Sequence, residues 1–71
     1  MTYHAIFTRA DDGTIWGYVP ELPGAAGSGD SIEEARASSS EAVRLWLEGA
    51  RADGEPIPQP TTIGALTIDA A

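Results

Sequence analysis

Carboxylates are the commonest reactive groups in this chain, and their placement decides what chemistry is open to it. Metal-dependent cleavage of a phosphodiester needs several of them converging on divalent ions. The residues available for such a site are Asp11 or Asp12, Glu41 or Glu48, and Asp69. Each has a plainer use. Asp11 and Asp12 precede Gly13 in a turn, the two glutamates fall on a solvated helix face, and Asp69 follows the last apolar segment. His4 is the one histidine and has no second ligand to share a metal with. Ser38, Ser39 and Ser40 offer hydroxyls but no visible base, and are better read as small residues that let a helix lie close to a sheet. There is no cysteine, which removes thiolate metal sites, nucleophilic thiols and disulfides. The expectation is a protein without catalytic residues, metal or cofactor, which acts by binding.

Eleven acidic residues against four basic ones give a formal net charge of −7 over 71 residues. That field repels phosphate backbones, so direct contact with nucleic acid is disfavoured and a basic partner is favoured. The first residues carry no basic run ahead of an apolar stretch, so no signal peptide is expected. The apolar runs fall well short of the roughly 18 residues that span a membrane. A cytoplasmic protein fits both facts. The length suits one domain, 1–71, and a domain this small buries only about 60% of its unfolded surface. Without disulfides, oligomerisation is an expected source of extra stability.

The elements that position these residues follow from local pattern. Thr2 to Thr8 and Ile15 to Val19 are rich in β-formers, and Asp12-Gly13 between them marks an antiparallel hairpin. Pro20 and Pro23 interrupt the ladder, and Ala25 to Gly29 reads as a short third strand. Ser31 to Glu34 has the form of a capping box at the start of a helix running to about Ala52. Its inward stripe is Ile32, Ala35, Ser39, Ala42, Val43, Trp46 and Ala50, and Asp53-Gly54 ends it. Residues 55–60 have proline at every second position and form a stiff extended connector. Thr61 to Ile68 regains β-propensity as a fourth strand. The fold class is α+β, in the order β-β-β-α-β, with one antiparallel or mixed sheet and a single long helix on one face.

Several of these segments together resemble the HicB-type antitoxin family. They are Tyr3, Ala5 and Phe7; Asp12-Gly13; the run from Gly17 through Tyr18, Pro20 and Leu22 to Gly24; and Gly29-Asp30-Ser31 with Ile32 to Ala35. Glu41-Ala42 and the stretch from Gly54 to Pro58 continue the match. The run from Tyr18 to Gly24, followed closely by Gly29-Asp30-Ser31, is its most specific part. The resemblance implies a sheet-plus-helix fold similar to a pared-down RNase H. It also implies a role in a type II toxin–antitoxin pair, in which the antitoxin covers a small, basic, mRNA-cleaving HicA-type toxin. Ala25 stands where many members have cysteine. Many members also continue into a C-terminal DNA-binding domain, which is not expected after Ile68, so operon regulation through direct DNA contact is not expected either.

Two surfaces follow as candidates. Glu21, Leu22, Asp30, Glu33, Glu34 and Glu41 are the expected partner-binding group, acidic around the loop and helix start. Apolar residues on both faces of strands 1 and 2 exceed what one helix can cover. Tyr3, Ile6, Trp16 and Tyr18, with Leu45 and Leu47 beside the helix stripe, are the expected interface of a homodimer or higher even oligomer. The alternative function is a solitary HicB-like oligomer with a binding or regulatory role and no toxin.

Overall fold

The computed structural model describes residues 1–64, 68 and 69. Three strands, β1 (Ile6–Arg9), β2 (Ile15–Tyr18) and β3 (Ala26–Gly29), precede one helix, α1 (Ile32–Ala52). The sheet is antiparallel throughout, in the order β1-β2-β3. This is the expected α+β arrangement of a single sheet under one long helix. Of the fourth strand expected over Thr61 to Ile68, residues 61–64 and 68 belong to no strand, and 65–67 lie outside the described residues.

The β1–β2 hairpin closes through Asp11, Asp12 and Gly13. Ala10 N–H donates to Thr14 O and Gly13 N–H to Ala10 O. Only Gly13 takes a positive φ, +89°, so the loop is the three-residue form with glycine in the left-handed position. Asp12 Oδ1 accepts from Thr14 N–H at 2.9 Å, and this bond holds its carboxyl below the ordinary value.

Which face of the sheet meets the helix is decided by glycine. Gly17, Gly27 and Gly29 lie on one face of β2 and β3, and Gly17 is the register partner of Gly27. A methyl group at Gly27 would overlap the backbone of Ser38 and Ser39, and one at Gly29 would lie 2.8 Å from Ala35 N. The small helix residues Ala35, Ser38 and Ser39 therefore sit directly on bare strand backbone. Ser38 Oγ accepts from Ser28 N–H at 3.1 Å and ties the helix to this edge strand. The close approach draws α1 over β3 and β2 and away from β1.

Ser31 caps the helix, accepting from Glu34 N–H at 3.2 Å. The return bond of the expected capping box reaches one residue further back, from Asp30 N–H to Glu34 Oε1 at 3.4 Å. At the other end Gly54 N–H donates to Arg51 O and Glu55 N–H to Ala50 O, the paired bonds of a Schellman motif. Ile32 departs from the expected inward stripe and is exposed. Gly29, the last residue of β3, already lies against Glu34 and Ala35, so the first turn overhangs the end of the sheet.

The core gathers at the far end. Val19, Leu22 and Ala25 are buried, with Tyr3, Ala5, Val43, Trp46 and Leu47 packed against them. The corner from Pro20 to Gly24 is built from successive turns, Leu22 N–H to Val19 O and Ala25 N–H to Leu22 O, both 3.0 Å. They fold Leu22 inward to 1% exposure, and Trp46 Nε1 donates to Pro23 O at 2.9 Å to hold the corner on the helix.

Candidate partner-binding surfaces

The acidic residues expected to form one group are divided between the two ends of the helix. Asp30, Glu33 and Glu34 flank the Ser31 cap, while Glu21 and Leu22 lie by Pro23, which Trp46 holds. From Ser31 to Trp46 the helix climbs roughly 20 Å at about 1.5 Å per residue. Glu41 stands between them on the exposed side.

Several of these side chains have work inside the chain. Glu21 accepts three hydrogen bonds, from Thr61 N–H at 2.9 Å, Thr62 N–H at 3.3 Å and Thr62 Oγ1 at 3.0 Å. Glu34 belongs to the helix cap. Glu41 pairs with Arg44, which also reaches Glu48 at 2.6 Å. The hydrogen bond from Arg44 holds the Glu41 carboxyl below the usual range, and Glu41 in turn raises Arg44. Such exposed pairs contribute little to stability, but they locally offset the charge of Glu41. Leu22 is in the core and presents no surface. Asp30 and Glu33 are the two whose exposed carboxylates enter none of these bonds, and Glu33, in the first turn, sets negative charge against the positive end of the helix dipole.

The bonds to Glu21 make a pH-sensitive clasp. The Thr61 amide is the chief reason its carboxyl titrates below the ordinary 4.5, with Thr62 adding to it. Because the folded value is depressed, the clasp is at full strength above that ordinary value and is lost as pH falls through the lower folded one. Between pH 6 and 3 the amide resonances of Thr61 and Thr62 should move together with the Glu21 carboxyl, and Glu21→Gln should abolish the transition. Amides that ignore pH across that range would show the clasp is not formed.

The residues expected at an oligomer interface also separate. Ile6, Trp16 and Tyr18 lie on the sheet face opposite the helix, where Ile6 is the register partner of Tyr18. Trp16 is 45% exposed and Tyr18 39%. Tyr3 and Leu47 are on the helix side, packed on the core, and Tyr3 Oη donates to Pro58 O at 2.6 Å. Leu45 is 54% exposed on the helix.

Sequence reasoning missed a groove between the segment that precedes β1 and the helix. It has a volume of about 550 Å³ and is lined by Met1 to Tyr3, Ala5, Val43, Leu47, Arg44 and Arg51, among others. Its lining joins residues among the first five to helix residues far along the chain, a pairing that no local signal in the sequence marks. The carboxylates considered for a nuclease site do not converge. Asp11 and Asp12 are in the hairpin loop and Glu41 and Glu48 on the outer helix face, and among the described residues no cluster of three ligands could hold a metal ion.

With this geometry, the likeness to known proteins can be placed on the structure. The HicB-like antitoxins of bacterial toxin–antitoxin systems match residues 3–70, which include every element described. The chain belongs to this family. Among its relatives, the UPF0150 protein ssl0738 of Synechocystis is 50% identical over 62% of this chain and 61% of its own length. The UPF0150 protein Ta0767 of Thermoplasma acidophilum is 36% identical over 83% of this chain and 86% of its own. An uncharacterized 14.9 kDa protein of Haemophilus phage HP1 is 32% identical over 89% of this chain but only 47% of its own length. This HicB-like chain thus spans less than two thirds of two of these relatives, and its fold corresponds to part of them.

Proposed function

We propose that this HicB-like chain is an antitoxin that binds a small, basic, mRNA-cleaving toxin of the HicA type and covers its RNA-binding surface. Family membership supports the antitoxin role. The observation that carries the choice of partner is charge: −7 overall, with Asp30 and Glu33 exposed at the helix start. Complementary potentials of this kind speed encounter and select a partner. Masking needs no chemistry from the antitoxin, so it acts without a cofactor and without touching nucleic acid. It acts in the cytoplasm, where the toxin's mRNA substrate is. Among the described residues no helix is long and apolar enough to cross a membrane.

Co-expression with a neighbouring small basic gene tests the reading through growth rescue and co-purification. Asp30→Lys with Glu33→Lys should then slow association roughly ten-fold at low salt, with the helical signal unchanged. These two residues are preferred to Glu34, whose reversal would also disturb the helix cap. Failure of every neighbouring gene product to bind would defeat the masking mechanism.

A second reading is favoured by Trp16 and Tyr18, aromatic residues that stay exposed on the outer sheet face with Ile6 beside them. Monomers seldom leave such a patch in water. It supports a homo-oligomer paired through that face, either alongside the antitoxin role or as a solitary regulatory protein without a toxin. Trp16→Glu should halve the molar mass in solution if that face is the interface.

A further inference from the structure

The outer face of the sheet is uncharged and aromatic. Residues alternate sides along a strand, and the register sets them in two rows across that face: Thr8, Trp16 and Ser28, then Ile6, Tyr18 and Ala26. None carries a charge, in a chain with eleven acidic and four basic residues. Trp16 and Tyr18 occupy the central strand and stay exposed. Tryptophan and tyrosine near the middle of a patch are the residues that most often carry binding energy between proteins.

The topology gathers negative charge at one end of this face. Arg9, Ile15 and Gly29 form the last row of the ladder, so the tip of the β1–β2 hairpin and the start of α1 leave the sheet at the same end. Asp11 and Asp12 stand on the tip, and Asp30, Glu33 and Glu34 at the helix start, all of them exposed. Five of the eleven carboxylates therefore rim the end where Trp16 stands, with Arg9 and Arg36 as the nearest basic residues along the chain. Asp12 and Glu34 are engaged by Thr14 N–H and Asp30 N–H, which leaves Asp11, Asp30 and Glu33 facing solvent.

We propose that a basic protein docks on this outer face, its apolar side chains on Trp16 and Tyr18 and its cationic ones on the rim of Asp11, Asp30 and Glu33. The seat presupposes the antitoxin role proposed above and adds to it the place where the toxin lies. Charge decides among the occupants such a face could take. A second copy brings the same −7 and the same acidic rim, so pairing here works against repulsion. Nucleobases also stack on exposed aromatic side chains, but their phosphates would meet carboxylates. A cationic protein gains twice, by burying the rings and by pairing with the rim. Asp11 is then a partner contact as well as a turn residue.

The two tryptophans make the test direct, because Trp16 lies on this face and Trp46 is bound to Pro23 at the corner. The isotope-labelled full-length chain is titrated with the basic neighbouring gene product that co-purifies with it, and Trp16→Phe assigns the two indole resonances. The Trp16 resonance should shift or broaden as the complex forms, while the Trp46 resonance holds. In a second measurement Trp16→Thr with Tyr18→Thr, which keeps strand propensity, should weaken binding roughly ten-fold or more with the helical signal unchanged. Asp11→Lys should slow association roughly several-fold at low salt. Glu55→Lys, the same change of charge just past the other end of the helix, should not. A complex that leaves the Trp16 indole unmoved, or a double threonine variant that binds within about two-fold of the wild type, would overturn the seat and leave the antitoxin role standing. If no basic neighbour co-purifies, both fall. A free chain whose molar mass drops on Trp16→Thr would give the face to a second copy, and a Trp16 indole shift with oligouridylate alone would give it to RNA. Either result would defeat the proposal.

Discussion

Gly27→Ala should lower the melting temperature by roughly 10–25 °C, although it adds a single methyl group. The reason is what that methyl would meet. It would overlap the main chain of Ser38 and Ser39, and main chain cannot turn aside as a side-chain tip can. Either the helix lifts from β3 or the strand bends, and overpacking of this kind costs about 3 kcal/mol. The whole stability of a domain this size is on the order of 5 kcal/mol, so the variant would keep little margin. Gly49→Ala is the matched control. A methyl there meets nothing within 4 Å, and alanine is favoured over glycine in a helix by about 1 kcal/mol. Thermal unfolding followed at 222 nm compares the two. If Gly27→Ala melts within a few degrees of the wild type, the helix does not rest on glycine backbone.

That contact also explains how much of the molecule was legible in its sequence. The hairpin, the capped helix and the proline connector announce themselves through local chemistry, because Asp12-Gly13, Ser31 with Glu34, and Asp53-Gly54 act on their immediate neighbours. The position of the helix across the sheet is not a local property. It depends on Gly17, Gly27 and Gly29 sharing one face, which requires the register of β2 against β3. Without that register the small residues looked weakly patterned, and the helix's seat over them could not be foreseen. Candidate sites were harder still. Glu21, Asp30 and Glu41 are equivalent as acidic letters. Hydrogen bonds to Thr61 and Thr62 engage the first, Arg44 engages the third, and Asp30 with Glu33 is left facing solvent. A fourth strand at Thr61 to Ile68 was read from β-propensity, which reports a capacity to pair and not the presence of a partner. Residues 61–64 and 68 belong to no strand.

Leu22→Ala should cost about 2–5 kcal/mol of stability, the range for a leucine removed from a core that cannot fully collapse. Leu22 is, among the described residues, the one large side chain that is fully buried, and Val19, Ala25 and the Trp46–Pro23 bond surround the space it would vacate. Urea unfolding should show a lower midpoint with an unchanged slope, since the same surface is exposed on unfolding. The variant also separates two roles for the segment from Glu21 to Gly24. If Leu22 were an anchor for a partner, its loss would weaken binding even where the protein remains folded. The structure makes it a support for the corner, so at low temperature, in an osmolyte concentration that restores the full helical signal, Leu22→Ala should bind a cognate toxin within about two-fold of the wild type. The charge reversals at Asp30 and Glu33 should do the opposite, slowing association while leaving the unfolding midpoint in place. A folded Leu22→Ala chain that binds ten-fold more weakly would place the leucine at the interface and require the corner to open when the partner arrives.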